Sequence, residues 1–370
     1  MAAGFLFNLA ISSTSAFSIV AASVTDKTGW ETVTVTLVYS LYNLLLCISG
    51  IVIGAIVSRV NPRILMYLGL FLFASGWIVS GWGVMVGSFA LFVLGFGFLW
   101  GIADGMLYNF NVTKTLKFFP DRKGFASGLM LGGAAIGPVF TAPLANALNA
   151  SVGIAQACII IGFIYMGLMF LIGWIVQTPP AGYRPRGWRP PASRPGSPAA
   201  GTIDKNWKQM LGTPIFWMLF LIFMIAYTPA MLMLANGAKI GAVQAGLDSS
   251  QQVLAISLLA VFNLLGRVSF GALSDKIGRY QTLFLALAIL LVTVIIIANL
   301  DTPIPFMIAV CSIGACGGAV LVMFPPITSD NFGVKHSVLN YAIMFVAYST
   351  ASLLGPQLMG ILLKRTKTGQ

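Results

Sequence analysis

Arg267 is the residue in this chain with the clearest chemistry, because it stands inside the apolar run LLGRVSFGALSDKIGRY at 264–280. A charged side chain at the centre of a bilayer costs about 2.5 to 3.5 kcal/mol on insertion scales, so its presence calls for a reason. Asp275, eight residues on, marks the inner edge of the same run. At a rise of about 1.5 Å per residue, Arg267 then lies about 12 Å deep, near the midplane. A guanidinium stays charged and meets a carboxylate with two parallel N–H groups, which is the chemistry of an anion site. The plainer reading is a structural arginine bonded to helix carbonyls. Asn263, one turn away on the same face, can donate or accept beside it.

The same arithmetic places Tyr108 about 18 Å and Tyr348 about 16 Å from the inner ends of their runs, level with Arg267. A buried tyrosine more often packs and satisfies its hydroxyl than binds a ligand, and for either residue both readings stand. Asp104, one turn from Tyr108, is the one acid inside any expected span. It serves either as a protonated structural donor or as the carrier of a coupling proton. The turn GALSDKIGR at 271–279 is a second kind of signal. Gly271 and Gly278 allow close approach and a sharp reversal. Asp275 suits the N-terminus of a neighbouring helix, and Lys276 and Arg279 suit loop acids or lipid. Together they make a gate latch or, more plainly, a cluster of inside-loop charges. GAIVSRVNPR at 54–63 is a degenerate copy with Ser58 in the acidic position.

These residues need membrane helices to hold them. Hydrophobic residues make up 58% of the 370 and charged residues 8%, with 40 glycines and a mean hydropathy of +0.91. No water-facing surface can be built from that composition, so the fold class is all-α integral membrane. Spans are expected at roughly 3–23, 35–57, 64–84, 88–115, 124–147, 152–176, 214–235, 250–273, 281–300, 304–326 and 337–361. Span five carries Gly124, Gly128 and Gly132 at four-residue spacing, with Gly133 and Gly137 in a second register. Small residues so spaced let helices approach closely.

The net charge of +12 would suggest nucleic acid in a soluble domain. Here it concentrates in alternate loops, which places the N-terminus in the cytoplasm of a multi-pass cell-membrane protein and leaves no role for nucleic acid. Between spans six and seven runs TPPAGYRPRGWRPPASRPGSPAAGTIDKNW, rich in Pro and Arg and without apolar periodicity. It reads as a cytoplasmic linker over 178–210, dividing a six-helix half at 1–177 from a second half at 211–370. That second half shows five spans, so a missing twelfth helix is the favoured reading. The four cysteines lie in apolar runs without ligand spacing and read as small core residues. His336 and the Asn-Val-Thr at 111 bear no weight. Absent a nucleotide loop, metal constellation or nucleophilic triad, the chain reads as no enzyme and as needing no cofactor or metal.

GALSDKIGR resembles the inter-helix signature of the major facilitator superfamily. FFPDRKGFASG at 118–128, FPPITSDNFG at 324–333 and NYAIMFVAYSTASLLG at 340–355 resemble its oxalate/formate antiporter branch, itself similar to monocarboxylate transporters. The resemblance implies two six-helix halves, a substrate-binding arginine at Arg267 and a site-lining tyrosine at Tyr108. It also shows departures. Tyr348 stands where oxalate exchangers carry a second cation, a lysine. Gly317 and Leu321 stand at aromatic wall positions. Asn263 replaces the proton-handling aspartate of monocarboxylate transporters, leaving Asp104 as the membrane candidate for coupling.

The expected function is therefore secondary active transport of a small monocarboxylate, or exchange of small carboxylates. Arg267 would bind the anion and Asn263, Tyr108 and Tyr348 would orient it. Protons or a counter-anion would couple the movement, and the protein would work as a monomer in the bilayer. The competing readings are an oxalate/formate-type dicarboxylate antiporter and a truncated, non-transporting membrane sensor or remnant.

Overall fold

In a computed structural model, the described residues are 2–13, 17–57, 60–175 and 204–355, and their regular structure is helical throughout. The helices are α1 (Ala2–Ile11), α2 (Phe17–Thr28), α3 (Thr32–Ile56), α4 (Pro62–Met85), α5 (Phe89–Phe92), α6 (Trp100–Phe118), α7 (Lys123–Val152), α8 (Ile154–Ile175), α9 (Trp207–Leu211), α10 (Pro214–Ala245), α11 (Ser249–Ile277), α12 (Arg279–Ile297), α13 (Pro303–Phe332) and α14 (Ser337–Met344). A π-helical stretch, Val93–Leu99, joins α5 to α6, and helix continues over 346–355 after α14.

Nine of the described helical segments are long and apolar enough to cross a membrane. Each of the eleven expected spans has a helical counterpart. The two outside the nine are the first, which falls on α1 and α2, and the fifth, which falls on α7. Most of the expected linker, together with Ser58, Arg59, Lys364, Arg365 and Lys367, lies outside the described residues. The linker's last residues take a form that composition did not announce. Asn206 and Gln209 cap α9 reciprocally, and the Lys205 N–H donates to the Phe332 carbonyl at 2.9 Å.

Local chemistry explains where helices begin. Pro62, Pro214 and Pro303 occupy first-turn positions, where a missing N–H costs nothing. Asp248 opens α11 in a capping box with Gln251. The Ser250 hydroxyl and the Gln251 N–H hold its carboxyl below the usual carboxylate range, so this cap is intact at neutral pH and is lost on acidification. Gly246, at φ +65°, closes α10 in the left-handed conformation. Along α12, Thr282, Leu283, Ala286, Leu290, Thr293 and Ile297 are buried, while Phe284, Leu291 and Ile295 are exposed. A helix apolar on both its faces suits protein on one side and lipid on the other.

Contacts divide the chain into two compact units. The first is Met1–Phe118, Gly133–Arg184 and His336–Ile343; the second is Phe119–Gly132, Pro185–Lys335 and Met344–Gln370. In the first unit α3 packs on α6 and α4 on α8, around Trp77, Trp100, Phe92 and Phe96, which are all but fully buried. Gly133 and Gly137 there close on Phe5 and Leu9 of α1. In the second unit α11 lies against α13 almost backbone to backbone. A methyl group on Gly266 would come within 2.7 Å of the Ala315 Cα, and one on Gly318 within 3.0 Å of the Arg267 nitrogen. Gly124 and Gly128 bring the start of α7 against Gly271 and Arg267 of α11 in the same way. The two glycine registers of span five thus serve different neighbours.

This packing makes a contrast that thermal unfolding can check. Gly318→Val should destabilise the protein by about 1 to 3 kcal/mol, because backbone rather than a mobile side chain must give way. Gly167→Ala, where nothing lies within 4 Å of the added methyl, should be neutral or stabilise by up to about 1 kcal/mol.

Candidate functional site

In the second unit, Arg267 is 7% exposed. Its Nε donates to the Asn263 Oδ1 at 2.9 Å, and its Nη1 donates to the Leu131 carbonyl of α7. Asn263 in turn donates from Nδ2 to the Gly314 carbonyl at 3.2 Å. Asn263 therefore spends both ends of its amide on the protein, fixing the guanidinium against α13. No carboxylate among the described residues pairs with Arg267. The Leu131 bond is part of the plainer sequence reading, and it uses one of five N–H groups.

Tyr227 of α10, which sequence reasoning passed over, lies beside the Asn263 amide that holds the guanidinium. Its ring meets that of Tyr348 at 5.0 Å between centroids, and Phe345 stacks on Tyr348 at 4.5 Å. On the other side Phe223 reaches Tyr227 at 6.2 Å and stacks on Phe324 at 4.1 Å. A methyl group at Gly317 would lie 2.7 Å from the Ala230 Cβ, 3.5 Å from the Asn263 Nδ2 and 4.0 Å from the Tyr227 ring. The ring beside the cation thus comes from α10, at a point where α13 offers only a glycine. Nothing in AYTPAM at 226–231 signals this except the proline two residues on, inside the helix. Leu321 is buried in α13.

Asp104 and Tyr108 belong to the first unit, on one face of α6. Asp104 is 5% exposed and Tyr108 9%. The buried Tyr42 hydroxyl of α3 donates to Asp104 Oδ2. No basic side chain among the described residues forms an ion pair with Asp104. Gly101 lets α3 come close, since a methyl there would be 2.9 Å from the Tyr42 carbonyl, and Ser49 donates to the Gly101 carbonyl at 3.1 Å. Tyr42 is a second residue that sequence reasoning did not single out.

The charged turn assembles at the membrane edge of the second unit. Asp275 accepts the Gly124 N–H at 2.9 Å and the Phe125 N–H at 2.8 Å. It thus neutralises unpaired donors at the start of α7, where the helix dipole favours an anion. Arg279 reaches Asp275 at 3.2 Å and Asp330 at 2.8 Å, and Lys123 reaches Asp330 at 2.6 Å. Gly278, at φ +102°, makes the corner between α11 and α12 that a side chain would strain. Gly271 supplies the close approach to Gly124. Lys276 is exposed and, among the described residues, pairs with no acid. Asp330, the acid shared by two cations, lies inside the quoted stretch FPPITSDNFG but has no periodicity to mark it.

Comparison with known proteins adds the family. A family model described as Major Facilitator Superfamily matches residues 1–356. The chain is 28% identical over 312 residues to the oxalate:formate antiporter of Oxalobacter formigenes, covering 82% of this chain and 69% of that protein. It is 22% identical over 320 residues to monocarboxylate transporter 12 of Rattus norvegicus, covering 79% and 65%. Among solved structures, a bacterial homologue of the iron transporter ferroportin in the outward-facing state matches at a TM-score of 0.73 and 15% identity, covering 99% of this chain and 93% of that one. The E. coli fucose:proton symporter matches at 0.71 and 14%, covering 100% and 92%. Likeness at such identities is of fold alone.

Asp275→Asn keeps the shape of the side chain but removes the charge that accepts two backbone N–H groups. It should lower stability by about 1 to 3 kcal/mol, read as a fall in the midpoint of thermal unfolding. Lys276→Gln should leave the midpoint nearly unchanged.

Proposed function

The chain belongs to the major facilitator superfamily, and on that premise we propose that it moves a small monocarboxylate across the membrane by alternating access. The rocking bodies are two helix-bundle halves divided at 178–210, with the N-terminus in the cytoplasm. One observation carries the reading. Arg267 is a buried cation, held in place by Asn263 and a backbone carbonyl, with no carboxylate partner among the described residues. A guanidinium fixed in low dielectric is favoured by any carboxylate that replaces the lost water. One fixed cation neutralises one carboxylate. A dianion would bring a second charge with no partner, which supports monoanions over oxalate.

In this reading Asn263 orients the arginine, whereas Tyr108 and Tyr348 line the path of the substrate. Asp275, Arg279, Gly271 and Gly278 form the latch at the inner edge, and Asp104 with its Tyr42 partner takes the coupling proton. The alternative is exchange of carboxylates of the oxalate/formate kind, favoured by the match to the oxalate:formate antiporter. Trans-stimulation of uptake by internal oxalate would decide for it.

Uptake of a panel of labelled monocarboxylates into proteoliposomes tests the assignment. Arg267→Ala should reduce uptake by about 30-fold or more, the equivalent of about 2 kcal/mol. Uptake that persists unchanged in that variant would sink the assignment. Asp104→Asn should abolish the acceleration produced by an inward proton gradient while leaving exchange at equal pH. A variant still driven by the gradient would remove Asp104 from coupling.

A further inference from the structure

The aromatic residues beside Arg267 narrow the substrate class, an inference that rests on the carboxylate reading above. We propose that Tyr227 is a specificity-determining residue. With Tyr348 and Phe345 it would select monocarboxylates bearing an apolar, ring-sized substituent over formate, acetate and oxalate.

Five rings run through the second unit in unbroken contact, Phe324 to Phe223 to Tyr227 to Tyr348 to Phe345, with centroid separations between 4.1 and 6.2 Å. They come from α13, α10 and the segment that follows α14. The row comes beside Arg267, the buried cation among the described residues of this unit, at Tyr227: a methyl group on Gly317 would lie 4.0 Å from the Tyr227 ring and 3.5 Å from the Nδ2 of Asn263, the amide that holds Arg267. A carboxylate held by Arg267 therefore has its remaining atoms next to aromatic surface. Ring faces carry negative quadrupolar charge and ring edges positive charge. A second carboxylate over those faces is repelled and loses its water without a cation to replace it. An apolar body there gains contact and sheds water from both partners. Formate and acetate have too little body to use the surface. Tyr227 and Tyr348 lie ring to ring, tilted by 40° at 5.0 Å between centroids, so the surface beside the cation is aromatic.

The test is thermal stabilisation of the purified full chain by formate, acetate, benzoate, phenylacetate and oxalate, with benzamide as the uncharged control. Each acid is read as the concentration giving half its maximal shift. Benzoate or phenylacetate should act at a concentration at least about tenfold lower than acetate and oxalate. Tyr227→Leu should shrink the benzoate-to-acetate ratio to about threefold or less, while Tyr227→Phe, which keeps the ring, should preserve it. The ratio is taken within each variant, so a general loss of stability cancels. Equal action of acetate and benzoate on the unaltered protein, or an unchanged ratio in Tyr227→Leu, overturns the proposal. If formate or acetate stabilises and the aryl acids do not, the ring proposal falls and the monocarboxylate reading stands; if oxalate alone stabilises, the ring proposal falls and the exchanger alternative replaces the monocarboxylate reading. If no acid exceeds benzamide, both fall.

Discussion

Removing a guanidinium from water is the constraint on which the second unit depends. The charge of Arg267 must be met by oxygen atoms fixed in advance, because a mobile partner would leave it uncompensated part of the time. Two partners meet it, the Asn263 amide and the Leu131 carbonyl, and each demands a neighbour at close range. Asn263 is itself steadied by the Gly314 carbonyl of α13. That bond is possible only because Gly266, Gly314 and Gly318 let α11 and α13 meet without side chains between them. Gly128 does the same for α7. The glycines here act as spacers of zero thickness that bring carbonyl dipoles to a cation.

The charged turn of the same unit uses like chemistry in a different medium. Asp330 is 40% exposed as a side chain and faces two cations. Water screens such pairs, so each is worth little alone. Asp275 is only 12% exposed as a side chain and accepts two backbone N–H groups that have no helical partner. A carboxylate bonded to helix-terminal amides resists exchange better than one bonded to a lysine ammonium. The turn is therefore held chiefly by Asp275, with the Arg279, Asp330 and Lys123 pairs as a reversible fringe.

How much of this was legible in the sequence varied with the kind of signal. Arg267 and Asp275 stood out because a charge in or beside an apolar run is rare, and helix rise converted their spacing into depth. The two registers of span five were visible because glycine spacing is a local pattern. Tyr227 and Tyr42 were not legible. Each is one aromatic residue among many in an apolar helix, and what distinguishes it is a partner far along the chain: Tyr42 lies 62 residues from Asp104. Asp330 was hidden for the same reason, since its two cations come from α7 and from the start of α12. Helix spacing makes Asn263 a polar neighbour of Arg267, but only the Gly314 bond shows that its amide is fully engaged.

The π-helical stretch at Val93–Leu99 has a consequence for the first unit. Phe92, Phe96, Trp100, Asp104 and Tyr108 follow one another at steps of four residues and all are at most 9% exposed. On an uninterrupted α-helix a four-residue step overshoots a full turn by about 40°, so such a row would wind about 160° round the axis. The wider π turn places more residues in each circuit and undershoots, cancelling the drift of the α-helical part. The row thereby keeps nearly one azimuth from Phe92 to Tyr108. Aromatic core and ionisable residue stay in a single vertical file, and the rotational phase of Asp104 is set by the hydrogen-bonding pattern a turn above it.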